Sequence, residues 1–61
     1  MTNPERINEK TPNGGDYSEF WYLRGDGSPA KSLDEATHFR IRELTNTGDL
    51  VQETYGVLEK Q

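Results

Sequence analysis

From Phe39 to Arg42 apolar and polar residues alternate one by one, which is the period of a β-strand with two unlike faces. Phe39 and Ile41 then share one face, and His38, Arg40 and Arg42 share the other. Asn46-Thr47-Gly48-Asp49 follows as a turn, and a type I turn over Asn46 and Thr47 with Gly48 left-handed predicts a three-residue hairpin loop with a bulge. The chain returns from Leu50 to Leu58, where Val51, Glu53, Tyr55 and Val57 form one set of alternate positions. Hydrophobicity assigns Val51, Tyr55 and Val57 to the core, with Glu53 the residue that fits least. Leu44 is out of phase with Phe39 and Ile41, so it either marks a bulge or faces solvent or a partner.

Upstream, Tyr17 to Arg24 is dense in strand-favouring residues and apolar on both sides, with Phe20 and Tyr22 opposite Trp21 and Leu23. Gly25-Asp26-Gly27-Ser28-Pro29 stops it as a turn cluster. Ser32-Leu33-Asp34-Glu35 matches a capping box and predicts a helix of one to two turns near residues 32–36, with Leu33, Ala36 and Ala30 as candidates to point inward. The expected fold is therefore α+β: a three-stranded antiparallel sheet over 17–24, 37–45 and 50–58, with one short helix between its first two strands. A meander with the second strand central is favoured, because consecutive elements are usually neighbours. The other order sets the first strand beside the third, and the apolar character of both faces of the first strand suits a central place.

Residues 1–16 hold two prolines, an adjacent glycine pair and Ile7 as the single large apolar residue after Met1. That composition predicts a flexible, disordered N-terminal arm over 1–16, one folded domain over 17–58 and a short tail over 59–61. The apolar share of 30% falls below the usual globular level of about 45–50%. A 61-residue chain also buries a smaller share of its surface than larger domains do. Stability rests on the six aromatic residues, all between Tyr17 and Tyr55.

The chain has no cysteine, which removes disulfides and thiolate metal sites. It shows no apolar run of membrane-spanning length and no signal-peptide core, so a cytoplasmic location without membrane association is expected. His38 is the single histidine, the aspartates sit in turns without calcium-loop spacing, and no serine stands in a nucleophile context. These residues predict no enzymatic activity, no cofactor and no metal. Arg24-Gly25-Asp26, an adhesion tripeptide in other settings, reads here as a strand end entering a turn.

Two binding functions fit. An exposed patch of Trp21 and Leu23, flanked by Arg24, Arg40 and Arg42, has the composition of a protein-binding hot spot, and at least one sheet edge lacks a partner. A small non-catalytic interaction or regulatory module, working by self-association or on a larger protein, is the first expectation. Two arrangements remain for Trp21: exposed to such a partner, or covered by the arm. The alternative function is single-stranded nucleic-acid binding through His38, Arg40 and Arg42, with Trp21 as a stacking platform. A net charge of −4 opposes that alternative.

Overall fold

The computed structural model describes residues 4–59. They form one four-stranded antiparallel sheet, β1 Glu5–Ile7, β2 Tyr17–Leu23, β3 His38–Leu44 and β4 Leu50–Val57, in the order β1-β2-β3-β4. The fold is all-β, and the described residues contain no helix, which corrects the α+β expectation of three strands and a helix. Residues 1–3 of the expected arm, and Lys60 and Gln61 of the expected tail, lie outside the described residues. The three expected strands are present as a meander with boundaries within a residue or so of those read from the pattern.

The capping-box segment closes a turn and goes no further. Ala36 N–H donates to the carbonyls of Ser32 and Leu33, each at 3.2 Å, and Glu35 N–H to that of Ser32 at 3.2 Å. The Glu35 carboxylate does reach back, but to Lys31 N–H at 2.7 Å, one residue before the expected cap. A helix nucleus repays its entropy only when further turns follow. Here the backbone is taken at once by the sheet, because Thr37 N–H donates to Leu23 C=O and Thr37 C=O accepts from Leu58 N–H, both at 2.9 Å. Leu33, expected inward, is 54% exposed, while Ala30 and Ala36 are buried.

In place of a disordered arm, residues 5–7 pair with β2, Glu5 against Phe20 and Ile7 against Ser18. The turn that brings them there occurs three times among the described residues. Thr11, Arg24 and Thr45 each accept at C=O from the N–H of the glycine three residues on, at 3.2, 2.9 and 2.9 Å. Each also donates its own N–H to the residue after that glycine, at 2.9, 2.8 and 2.9 Å. Gly14, Gly27 and Gly48 all have φ near +90° (92°, 89° and 87°), a region that side chains with a Cβ rarely enter. Type I turn plus left-handed glycine is the loop expected for Gly48, and the same rule applies to Thr11-Pro12-Asn13-Gly14 and Arg24-Gly25-Asp26-Gly27. With β1 on one side and β3 on the other, β2 is a central strand, which suits its two apolar faces.

The register overturns the core assignment of β4. One extra residue, Val51, sits between the Glu43–Gln52 and Leu44–Leu50 pairs, so the expected bulge lies on β4 beside Leu44. Beyond it Phe39 opposes Gly56 and Ile41 opposes Thr54, whereas Arg40 opposes Tyr55 and Arg42 opposes Glu53. Val51, Tyr55 and Val57 are exposed, at 36%, 57% and 66%, and Leu44 is buried. Gly56 is what the phenylalanine face requires. A Cβ built there would lie 2.7 Å from the Phe39 ring, which covers the glycine. Phe39 stacks on Phe20 at 5.9 Å between centroids, and Phe20 meets Tyr22 edge-on at 4.7 Å. Phe39 and Ile41 are half-buried, and the buried apolar residues among those described are Leu23, Ala30, Ala36 and Leu44.

Two consequences are measurable. Gly56→Ala should destabilise the fold by about 1–3 kcal/mol through overpacking against Phe39. In a denaturant double-mutant cycle Phe39→Leu should recover part of that loss, and strictly additive effects would show that the contact does not matter. In amide hydrogen exchange the β2–β3 ladder should be the most protected and β1, three exposed residues long, the least. Gly14→Ala, which forces an unfavourable φ, should lower protection in β1 further while leaving β4 unchanged.

Candidate interaction face

The face opposite the phenylalanines carries the residues singled out in the sequence. Antiparallel pairing sets Trp21 beside Arg40 and Arg40 beside Tyr55, and in the next row Glu19 beside Arg42 and Arg42 beside Glu53. The Arg40 guanidinium stands 5.0 Å from the Trp21 ring centroid. On its other side it donates to Glu53 Oε2 through Nη2 at 2.7 Å and Nε at 3.1 Å. Arg42 Nε lies 3.4 Å from the same oxygen. One carboxylate is thus shared by two arginines, and Trp21 is covered on one side by a cation. Near the sheet edge the Arg6 guanidinium lies 4.0 Å from the Tyr17 ring centroid, a second cation–aromatic contact on this face.

The five expected contact residues are not one patch. Trp21, Arg40 and Arg42 do come together, half-buried in the middle of the face. Leu23 is buried, 5% exposed, because the segment after β2 folds back: Leu23 bridges Pro29, and Ala30 N–H donates to Tyr22 C=O at 2.9 Å. It belongs to the core and is corrected to that role. Arg24 is drawn to one end by an ion pair with Glu35. His38 shares a hydrogen bond with the Thr37 hydroxyl at 2.8 Å through Nδ1. Asp26 accepts from Ser28 N–H at 3.0 Å and its hydroxyl at 2.6 Å, so the Arg24-Gly25-Asp26 tripeptide is held as a turn.

Two features of this face and its surroundings are not apparent from the alternation of residues along the chain. The first is the row of exposed apolar residues along β4, Leu50, Val51, Tyr55 and Val57, of which hydrophobicity assigned Val51, Tyr55 and Val57 to the interior. Glu53 was the available signal, since a residue that must face Arg40 and Arg42 carries its alternate neighbours to the same side. The second is Glu43, 7% exposed although charged. Its Oε2 accepts from Asn13 Nδ2 at 2.9 Å, and it lines a shallow cleft of about 340 Å³ with Thr11, Ile41, Gln52 and Thr54. The Thr11 hydroxyl first, and the Asn13 amide second, hold its carboxyl below the usual carboxylate range against the opposing effect of burial.

Since Glu43 titrates lower in the folded chain than unfolded, its contribution to stability is present above the unfolded pKa of about 4.3. It is lost as pH falls through the depressed folded value. Glu35, lowered by the Lys31 amide and by Arg24, acts in the same sense. Glu43→Gln should therefore flatten part of the acid limb of a stability–pH curve, with Glu35 and other carboxylates sustaining the remainder. An unchanged acid limb would mean that the Thr11–Asn13 turn does not hold the carboxylate.

Among the described residues no three histidine, aspartate or glutamate side chains cluster as a metal site, and no helix is long and apolar enough to cross a membrane. No protein-family model matches the chain, and no curated protein or solved structure is significantly similar to it.

Proposed function

We propose that the chain is a small, non-catalytic protein-interaction module that engages its partner through the sheet, at the β4 edge and the adjoining Trp21/Arg40 face. The observation that carries this reading is the inequality of the two edges. On the far side β2 is covered by β1 along Ser18–Phe20 and by the Pro29 segment at Leu23. That edge is short and broken, with proline at both Pro4 and Pro29, the usual devices that discourage strand addition. β4 runs for 8 residues with no proline and no lysine, and no described strand pairs with its outer side. Its exposed Leu50, Tyr55 and Val57 supply apolar contact beside the unpaired backbone.

The charge arrangement favours a protein over single-stranded nucleic acid. Arg40 is hydrogen-bonded to Glu53 and Arg42 lies against the same carboxylate, so phosphate would meet cations already partly compensated, on a chain of net charge −4.

Backbone direction provides a selective test. Leu58 N–H donates to Thr37 C=O, and the alternation of an antiparallel ladder then turns Gly56, Thr54 and Gln52 toward β3 and Glu53, Tyr55 and Val57 outward. Tyr55→Pro should remove an outward donor and leave the ladder to β3 intact, whereas Thr54→Pro should unfold the hairpin. Affinity capture with the full chain should retain a protein that the folded Tyr55→Pro variant loses. Identical capture by both would overturn the β4 reading. Titration of labelled single-stranded oligonucleotide at low and moderate salt should show no binding, and salt-sensitive binding lost in Arg40→Ala/Arg42→Ala would favour the nucleic-acid function instead.

A further inference from the structure

We infer that the occupant of the β4 edge is a second copy of this chain, added antiparallel about a two-fold axis at Thr54 to make one continuous sheet. The inference rests on the interaction reading above and names its partner. Two copies of an edge strand pair around an axis normal to the sheet, so each face meets its own kind. The outward backbone groups of one copy must also meet the outward groups of the other. Both conditions restrict the pairing to registers in which members of the alternate set Val51, Glu53, Tyr55 and Val57 oppose one another, leaving axes at Gln52, Glu53, Thr54 and Tyr55 with substantial overlap.

Charge and length choose among them. An axis at Glu53 sets that carboxylate opposite its own copy, and like charges directly across a ladder destabilise it. An axis at Tyr55 leaves the Leu50 end of the strand unpaired and places Glu53 against Val57, and an axis at Gln52 leaves the Val57 end unpaired and places Glu53 against Val51. An axis at Thr54 pairs Glu53 with Tyr55, Val51 with Val57 and Gln52 with Gly56, and keeps nearly the whole of β4 in contact. Glu53 enters already compensated by Arg40 and Arg42 of its own chain. Tyr55 and Val57, the most exposed large apolar residues of β4, then gain cross-strand neighbours. Asp49 and Glu59 fall opposite each other just beyond the strand ends, so association opposes a residual repulsion that salt screens.

Thr54 provides a direct register probe, because the native chain has no cysteine. At the axis it faces its own copy as a non-hydrogen-bonded pair, where Cα atoms approach to about 4.5 Å, within disulfide range. Sedimentation of the full chain over a concentration series should show a monomer–dimer equilibrium that strengthens with added salt. Tyr55→Pro, folded by circular dichroism, should weaken it about ten- to a hundredfold, the worth of two symmetry-related hydrogen bonds. Under mild oxidation Thr54→Cys should cross-link and Gln52→Cys should not. A chain monomeric at every concentration and salt would overturn the second copy as occupant, and loss of a captured protein in Tyr55→Pro would still uphold the interaction module. A dimer indifferent to Tyr55→Pro, or cross-linking at Gln52→Cys instead of Thr54→Cys, would overturn the axis.

Discussion

The sheet depends on one turn geometry. At Thr11, Arg24 and Thr45 the chain reverses over two residues and leaves through a left-handed glycine, and each reversal sets the register of the segments it joins. Because side chains alternate with period two, a shift of one residue at any of these turns would exchange the two faces of a strand. The turn at Thr45, with the bulge at Val51, is the most consequential, since it sets Gly56 beneath the Phe39 ring and Glu53 between Arg40 and Arg42. Neither arrangement survives a slip.

The N-terminal segment is attached by polar contacts where few apolar ones exist. Gly15 is buried so close to Leu44 that a Cβ would lie 3.1 Å from its carbonyl oxygen, and Asp16 N–H donates to that oxygen at 2.7 Å. The Asp16 carboxylate accepts from Asn46 N–H at 2.9 Å, tying the first turn to the third. Asn13 and Thr11 meet Glu43 from the same turn. Individually such hydrogen bonds contribute about 0.5–1.5 kcal/mol. Together they hold a strand whose own residues are all exposed.

With four buried apolar residues among those described, and no large side chain completely enclosed, the sheet leaves much of both its faces in water. It manages this unevenly. The phenylalanine face covers its glycine and stacks its rings, the tryptophan face covers Trp21 with an internally neutralised arginine, and the β1 edge is short and interrupted by prolines. The β4 edge has none of these protections except the bulge at its start. An exposed, hydrophobic edge strand is a liability unless it is used, and the proposed pairing uses it.

Much of the sheet was legible in the residues alone. The alternation around Phe39 and Ile41, the hairpin turn at Gly48 and the strand density of Tyr17–Leu23 determine three strands, because strand period and turn chemistry are local properties, while the choice of the meander over the order with the first strand beside the third came from the tertiary structure. The same turn chemistry is written in Thr11-Pro12-Asn13-Gly14, yet the polar composition around it concealed β1, whose place depends on contacts with residues some 30 positions away. The helix near 32–36 satisfied its local rule and lost to the sheet's demand for the backbone of Thr37. The face of β4 and the burial of Leu23 and Glu43 were decided by tertiary structure, because hydrophobicity states only that a side chain prefers cover, and the register and the returning Pro29 segment determine which ones receive it.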